Sequence, residues 1–146
     1  MNERTPRETP CYCVNFRSAA NTLTKIYDRA LSPLNITASQ FSLLNDINAL
    51  GVCNKTGLGK FVGLDRTTIV RNVNILRDKG FVEDGAGSRE SLITLTEAGK
   101  RVIAEGYVQW KKVQKRIKSA IGPNNLNILK EVFEAIESLN TDRKGD

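Results

Sequence analysis

Apolar residues recur along this chain in two different rhythms, and the rhythms name the elements. Phe16, Ala20, Leu23, Tyr27, Ala30 and Leu34 follow one another at steps of 4, 3, 4, 3 and 4, a continuous stripe on one helix. Ser32-Pro33 closes that helix, because proline disfavours helical geometry in the residue before it. Thr37 with Gln40 forms a capping box for a second helix, which runs through Phe41, Leu44 and Ile47 to a stop at Gly51. Asn54 caps a short third helix over Thr56–Val62, weakened by Gly57 and Gly59 at roughly 1 kcal/mol each relative to alanine. Gly63-Leu64 makes a tight turn, and Asp65 caps a fourth helix that keeps Ile69, Val73 and Leu76 on one face before ending at Lys79-Gly80.

The rhythm then changes. Phe81–Glu83 and Ser91–Leu95 read as two short strands, with Gly85-Ala86-Gly87-Ser88 as the hairpin tip. Thr96 caps a long helix striped by Ile103, Tyr107, Trp110, Val113 and Ile117. Gly122-Pro123 breaks it, and a last helix carries Leu126, Leu129, Phe133 and Ile136. The expected fold is therefore mainly α with a small β-hairpin wing: a winged helix–turn–helix over about 36–96, flanked by helices over about 13–33 and 96–139. One domain over 11–140 is expected, with a loose polar arm at 1–10 and a polar tail at 141–146. The long stripes of the outer helices exceed what the small winged unit needs for its own core. A second copy of the chain is the economical partner, so a homodimer is expected.

Composition narrows the chemistry. The chain has no histidine, which removes the commonest general base, the Ser–His and Cys–His nucleophile pairs and every His-containing metal site. Its three cysteines, Cys11, Cys13 and Cys53, are too few and odd in number for a disulfide framework. No catalytic residue, metal or cofactor is expected. No apolar run approaches the roughly 20 residues of a membrane span, and the polar N-terminus lacks the apolar segment of a secretory signal, so a cytoplasmic protein is expected. Twenty-two Lys and Arg against sixteen Asp and Glu leave a net charge of +6. Such an excess suits a polyanionic partner, above all double-stranded DNA.

The fourth helix carries the side chains such a partner needs. Opposite its apolar face stand Arg66, Thr67, Thr68, Arg71 and Asn72, crowded toward the N-terminal end. Arginine can fork onto guanine, asparagine onto adenine, and threonine can meet a thymine methyl or a phosphate. Arg89 follows the hairpin tip, where it could reach an adjacent minor groove.

Taken together, Gln40-Phe41-Ser42-Leu43-Leu44, Gly63-Leu64-Asp65-Arg66-Thr67-Thr68, Leu76-Arg77-Asp78-Lys79-Gly80 and Leu95-Thr96-Glu97-Ala98-Gly99 resemble the MarR family of winged-helix regulators, over roughly residues 11–140. The resemblance implies a homodimer joined through the first and last helices, bound to a pseudo-palindromic operator and usually repressing transcription. It adds Arg77 to the residues expected at DNA. It also implies release by a phenolic ligand held between the dimerisation and DNA-binding regions, or by cysteine oxidation. Two departures stand out. The family's wing usually carries Asp-x-Arg where this chain has Gly87-Ser88-Arg89, and its Leu-Ala is here Leu58-Gly59.

For the signal, two sets of residues compete. Tyr27, Phe41, Tyr107 and Trp110 could line a pocket for a small aromatic effector, although aromatic residues at helical spacing more often build core. Cys11 and Cys13 could form a thiol switch, with Arg17 one turn away, although burial as small apolar residues in the dimer interface is the commoner role. Cys53 falls in a short strand and is expected to pack. A rival use of the same fold is a protein-interaction module, but its face would be apolar or acidic rather than carry Arg66, Arg71, Asn72 and Arg89.

Overall fold

The computed structural model describes residues 10–85 and 91–141. The order is α1 (Tyr12–Leu31), a 3-10 turn (Ser32–Leu34), α2 (Ala38–Leu50), β1 (Cys53–Asn54), α3 (Lys55–Val62), α4 (Arg66–Asp78), β2 (Val82–Asp84), β3 (Leu92–Leu95), α5 (Glu97–Ile121) and α6 (Pro123–Thr141). The mainly helical fold with a small antiparallel sheet is the one the sequence pattern predicts. Packing divides it into two compact units, residues up to Trp110 and residues from Lys111 on.

The first unit is built around α2, α3 and α4. The capping box is present at α2: Gln40 N donates to Thr37 Oγ1 at 3.2 Å and Thr37 N to Gln40 Oε1 at 3.1 Å. Gly51 ends the helix with φ +73°, and its N–H reaches the Ile47 carbonyl. Asn54 Oδ1 accepts from Gly57 N at 2.7 Å to start α3. Gly63, at φ +71°, then turns the chain toward α4, and it needs glycine because a side chain there would be strained. Gly59 sits where the helices cross: a Cβ on it would lie 3.1 Å from the Leu64 carbonyl oxygen and 3.5 Å from Ile69. The core is sealed by Leu44, Ile47, Leu58, Ile69, Val73, Leu76 and Ile93, all fully buried.

Among the described residues three strands complete this unit, the short strand expected at Cys53 pairing with the hairpin. The sheet order is β1-β3-β2, antiparallel throughout, with Cys53 opposite Ile93 and Val82 opposite Leu95. The hairpin begins one residue later on both strands than the pattern suggests. Phe81 is held back because its N–H closes the end of α4 on the Leu76 carbonyl, while its own carbonyl accepts from Thr96 N.

That junction explains two of the motif segments at once. Thr96 Oγ1 donates to the Gly80 carbonyl at 2.6 Å and accepts from Gly99 N at 3.0 Å, so one hydroxyl ties the end of α4 to the start of α5. A Cβ at Gly99 would overlap the Phe81 carbonyl oxygen.

The helical stripes differ in detail from expectation. The regular helix α1 stops at Leu31, and Leu34 lies in the 3-10 turn that Pro33 favours. In α5 the buried residues of the first unit are Gly99, Val102 and Gly106, offset from the expected stripe, of which Ile103 and Trp110 are half-buried against the core and Tyr107 is 48% exposed. Phe41 causes the offset: its ring lies where a Cβ on Gly106 would sit, 2.6 Å away, so α5 turns its glycine toward α2.

In the second unit, Gly122 breaks the chain at φ +82° and Pro123 opens α6, as the Gly-Pro pair predicts. Leu126 and Leu129 are half-buried, whereas Phe133 and Ile136 are exposed. No helix among the described residues is long and apolar enough to cross a membrane.

The Gly99 contact gives a direct test. Gly99→Ala is expected to destabilise the protein by about 1–3 kcal/mol, because backbone rather than a flexible side chain must move. That corresponds to a fall of roughly 3–10 °C in Tm. Thermal unfolding followed by circular dichroism checks it, and an unchanged Tm would reject the close packing of α5 on Phe81.

Candidate functional site

The exposed side of α4 is the first candidate. Asp65 caps the helix twice over, accepting from Thr68 N and from Thr68 Oγ1, both at 2.9 Å. Those two hydrogen bonds hold the Asp65 carboxyl below its ordinary range. They also commit the Thr68 hydroxyl proton to the cap. Arg66, Thr67 and Arg71 are exposed, and together with Asn74 they border a shallow groove of ≈ 530 Å³ along the helix.

Asn72 is half-buried and does not border that groove; Asn74 does. The spacing Thr67, Arg71, Asn74, Asp78 was available in the sequence as a 4, 3, 4 stripe, a signal that weighing residue types alone passes over. Arg77 stands in the last turn, its guanidinium 3.2 Å from Asp78 Oδ1. Arg89 lies outside the described residues.

At the base of the hairpin a buried ion pair joins three elements. Lys55 Nζ lies 2.6 Å from Asp84 Oδ2, with side chains 16% and 5% exposed. Ser91 Oγ donates to Asp84 Oδ1 at 2.7 Å and accepts from Lys55 Nζ at 3.3 Å. A lysine in the first turn of a helix opposes the helix dipole, so its place at α3 is explained by this carboxylate rather than by the helix. Desolvation alone would raise the Asp84 carboxyl; the hydrogen bonds from Lys55 and Ser91 and the Lys55 charge outweigh it and hold the group below its usual 3.8.

The second candidate is a cavity of ≈ 370 Å³ formed by α1, α2 and α5. All four aromatic residues singled out in the sequence line it: Tyr27, Phe41, Tyr107 and Trp110. Tyr107 and Trp110 stack with ring centroids 5.5 Å apart and planes 13° from parallel. Asp46 and Asn45 supply polar groups from α2. Burial pushes the Tyr27 phenol up, which keeps it neutral, and pushes the Asp46 carboxyl up as well.

Comparison with known proteins settles what kind of chain carries these features. A model of the MarR family matches residues 36–84. The Mycobacterium tuberculosis transcriptional regulator MosR, solved in complex with DNA, is 32% identical over 88% of this chain and 98% of its own, with a TM-score of 0.69. The chain belongs to the MarR family. It is also similar to the transcriptional repressor CouR, solved with p-coumaroyl-CoA (19% identity, 90% and 98% coverage, TM-score 0.78), a likeness of fold. An uncharacterised HTH-type transcriptional regulator of Bacillus subtilis (strain 168), YwoH, is 23% identical over 101 residues, 68% of this chain and 74% of that one.

As a MarR-family member the protein is a transcriptional regulator and not an enzyme. The matched segment begins at Ile36 and ends at Asp84, so it spans the helix–turn–helix and the first hairpin strand. Cys53 is buried and its thiol is pushed up by desolvation, which suits packing. Cys11 and Cys13 are exposed in the single chain, and Arg17 Nη2 lies 3.5 Å from Cys13 Sγ. Their stretch of α1 is exposed on all sides, so this chain alone supplies no core for them.

The Lys55–Asp84 pair predicts an acid response. Because the folded pKa of Asp84 is depressed, its contribution is complete above the unfolded value and is lost as pH falls through the folded one. Stability should therefore drop as the pH falls below about 4. Lys55→Met should cost about 3 kcal/mol at pH 7, the low end for a buried pair because Lys55 keeps some water contact. Urea unfolding at pH 7 and pH 3 checks both; a variant as stable as the parent at pH 7 would show the pair to be dispensable.

Proposed function

We propose that the protein is a cytoplasmic DNA-binding repressor, which acts as a homodimer on a pseudo-palindromic operator and is released by a small aromatic effector. The observation that carries this reading is the division of α4. Its inner face is closed off by Ile69, Val73 and Leu76, and its outer face presents Arg66, Thr67 and Arg71 from the first turns. A helix start so equipped fits a major groove, where the dipole favours phosphate and the side chains meet base edges.

The dimer is supported by apolar residues left exposed in each unit. Tyr12, Val14, Phe16 and Leu23 are exposed on α1, and Ile128, Phe133, Ile136 and Leu139 on α6. Faces of that size on a soluble regulator need cover. The effector is supported by the aromatic cavity, whose volume falls in the range of small-molecule sites.

In vitro selection of DNA sites with the purified protein tests the reading. Inverted half-sites about 10 base pairs apart, centre to centre, are expected; selected sites without inverted symmetry would reject the geometry. Arg71→Ala should cost ~1–3 kcal/mol at the selected operator and relax preference at one position in each half-site. Equal binding by parent and variant would make the outer face of α4 a merely solvated surface.

A thiol-responsive regulator is the second reading, favoured by the exposure of Cys11 and Cys13 and by the nearness of Arg17. Cys11 is the extended N-cap of α1 and Cys13 lies in its first turn, so neither belongs to the outer face of α4. A Cys11→Ser/Cys13→Ser double variant should therefore keep operator affinity, and mild peroxide should leave parental binding within a few-fold. Peroxide-driven release that dithiothreitol reverses and the double variant lacks would promote this second reading over the ligand.

A further inference from the structure

The aromatic cavity has an electrostatic character that its rings alone do not convey. Among the residues lining it, Asp46 is the only one with a charge. Asp46 makes no hydrogen bond or ion pair among the described residues, and it is half-buried. A carboxylate in that setting is undercompensated, which is why burial raises it.

The remaining polar groups lean the same way. Asn45 Nδ2 gives one of its two N–H groups to the Phe41 carbonyl at 2.8 Å, which leaves Asn45 one N–H and its amide oxygen to offer. The start of α2 would ordinarily present free N–H groups to an anion. Here Ala38 N donates to Asp28 Oδ1 at 2.7 Å and Gln40 N to Thr37 Oγ1, so those donors are occupied and a second carboxylate stands at the helix start. What can still donate are the Tyr27 and Ser42 hydroxyls, which accept as readily, one Asn45 N–H and the Trp110 indole N–H, all of them neutral. Among the described residues no cation lines the cavity to neutralise an entering anion, whereas aromatic rings around a carboxylate form the cage that suits an ammonium.

We propose that this cavity takes an aromatic organic cation, its positive charge held between the Asp46 carboxylate and the rings of Tyr27, Phe41 and Trp110. The inference rests on reading the cavity as the effector site and adds the sign of the effector's charge. A phenol bearing a quaternary ammonium fits: the ring enters the aromatic walls, the hydroxyl meets Asn45 or Tyr27, and the charge meets Asp46.

Three phenols that differ only in charge test it: meta-hydroxyphenyltrimethylammonium, its neutral isostere meta-tert-butylphenol, and meta-hydroxybenzoate. Each is titrated into the full chain by calorimetry and by fluorescence. Trp110 is the chain's only tryptophan, so the emission change reports from the cavity wall itself. The ammonium should bind about ten-fold or more tighter than the isostere, a single charge contact in a partly wet site, with the benzoate weakest. Asp46→Asn should bring ammonium and isostere within two- to three-fold of each other, while Asp46→Glu keeps most of the preference; thermal melts of both variants verify folding. Benzoate binding as tightly as the ammonium, or a preference that survives Asp46→Asn, overturns the charge inference and leaves the effector reading in place. If none of the three gives heat or alters Trp110 emission at millimolar concentration, the effector reading falls and this inference with it.

Discussion

Everything the outer face of α4 can do depends on its inner face being closed. Ile69, Val73 and Leu76 have no exposed surface, and they meet Leu44 and Ile47 of α2, Leu58 of α3 and Ile93 of β3. Burying a branched aliphatic side chain of this size contributes roughly 1.5–3 kcal/mol, so three of them fix the helix's rotation far more firmly than any surface contact. Rotation is what matters here: 100° separates neighbouring residues on a helix, so a slip by one position would hide Arg71 and expose Val70 or Asn72. The arginines point outward because the aliphatic residues cannot.

The sequence made this unit legible wherever a periodic stripe coincided with a cap. Thr37, Asn54 and Asp65 each cap the helix that their position suggests, and Gly51, Gly63 and Gly122 each take the positive φ that a stop or turn requires. Where one residue served two elements, the pattern misled. Phe81 reads as the first residue of a strand, yet its N–H finishes a helix and its carbonyl holds the next one. On α5 Ile103 and Trp110 of the stripe reach the core but Tyr107 does not, because Gly106, invisible to a count of apolar residues, is the position the Phe41 ring requires. Site residues followed the same rule. Arg66, Thr67 and Arg71 emerge on the open face, and Asn74, which the sequence reading left aside, borders the same groove. The four cavity aromatics were legible as a set, but Asp46 was not, since a lone carboxylate in an amphipathic helix resembles any solvated one. The Lys55–Asp84–Ser91 cluster was equally hidden, because its members are far apart in sequence and meet only through the register of β2 and β3.

Phe41 links the two candidate sites. It belongs to the buried core and also lines the cavity, and it is carried by the helix whose next turns supply Leu44 and Ile47 to α3 and α4. A ligand can shift a regulator only by binding two arrangements with different affinity. In the proposed function, the contact able to sense that difference is the Phe41 ring against Gly106, where helix and ring approach too closely to yield gradually. Movement of α2 relative to α5 at that contact would carry the α3–α4 pair with it, since α2 shares their core.

Electrostatics separates the two ligands that such a regulator must accommodate. The chain's net charge of +6 draws a polyanion from a distance and opposes a cation, yet both effects fade beyond about 8 Å at physiological ionic strength. In that reading a cationic effector is selected only at contact, by a half-buried Asp46 and the aromatic walls, where screening is weaker than at the open surface. DNA, in the proposed function, meets exposed arginines whose contribution falls with salt. The two binding events thus answer differently to ionic strength. Raising salt weakens the operator complex steeply and the cavity complex only slightly, so the effector's advantage grows as salt rises, a dependence that an anionic effector competing for the same basic surface would not produce.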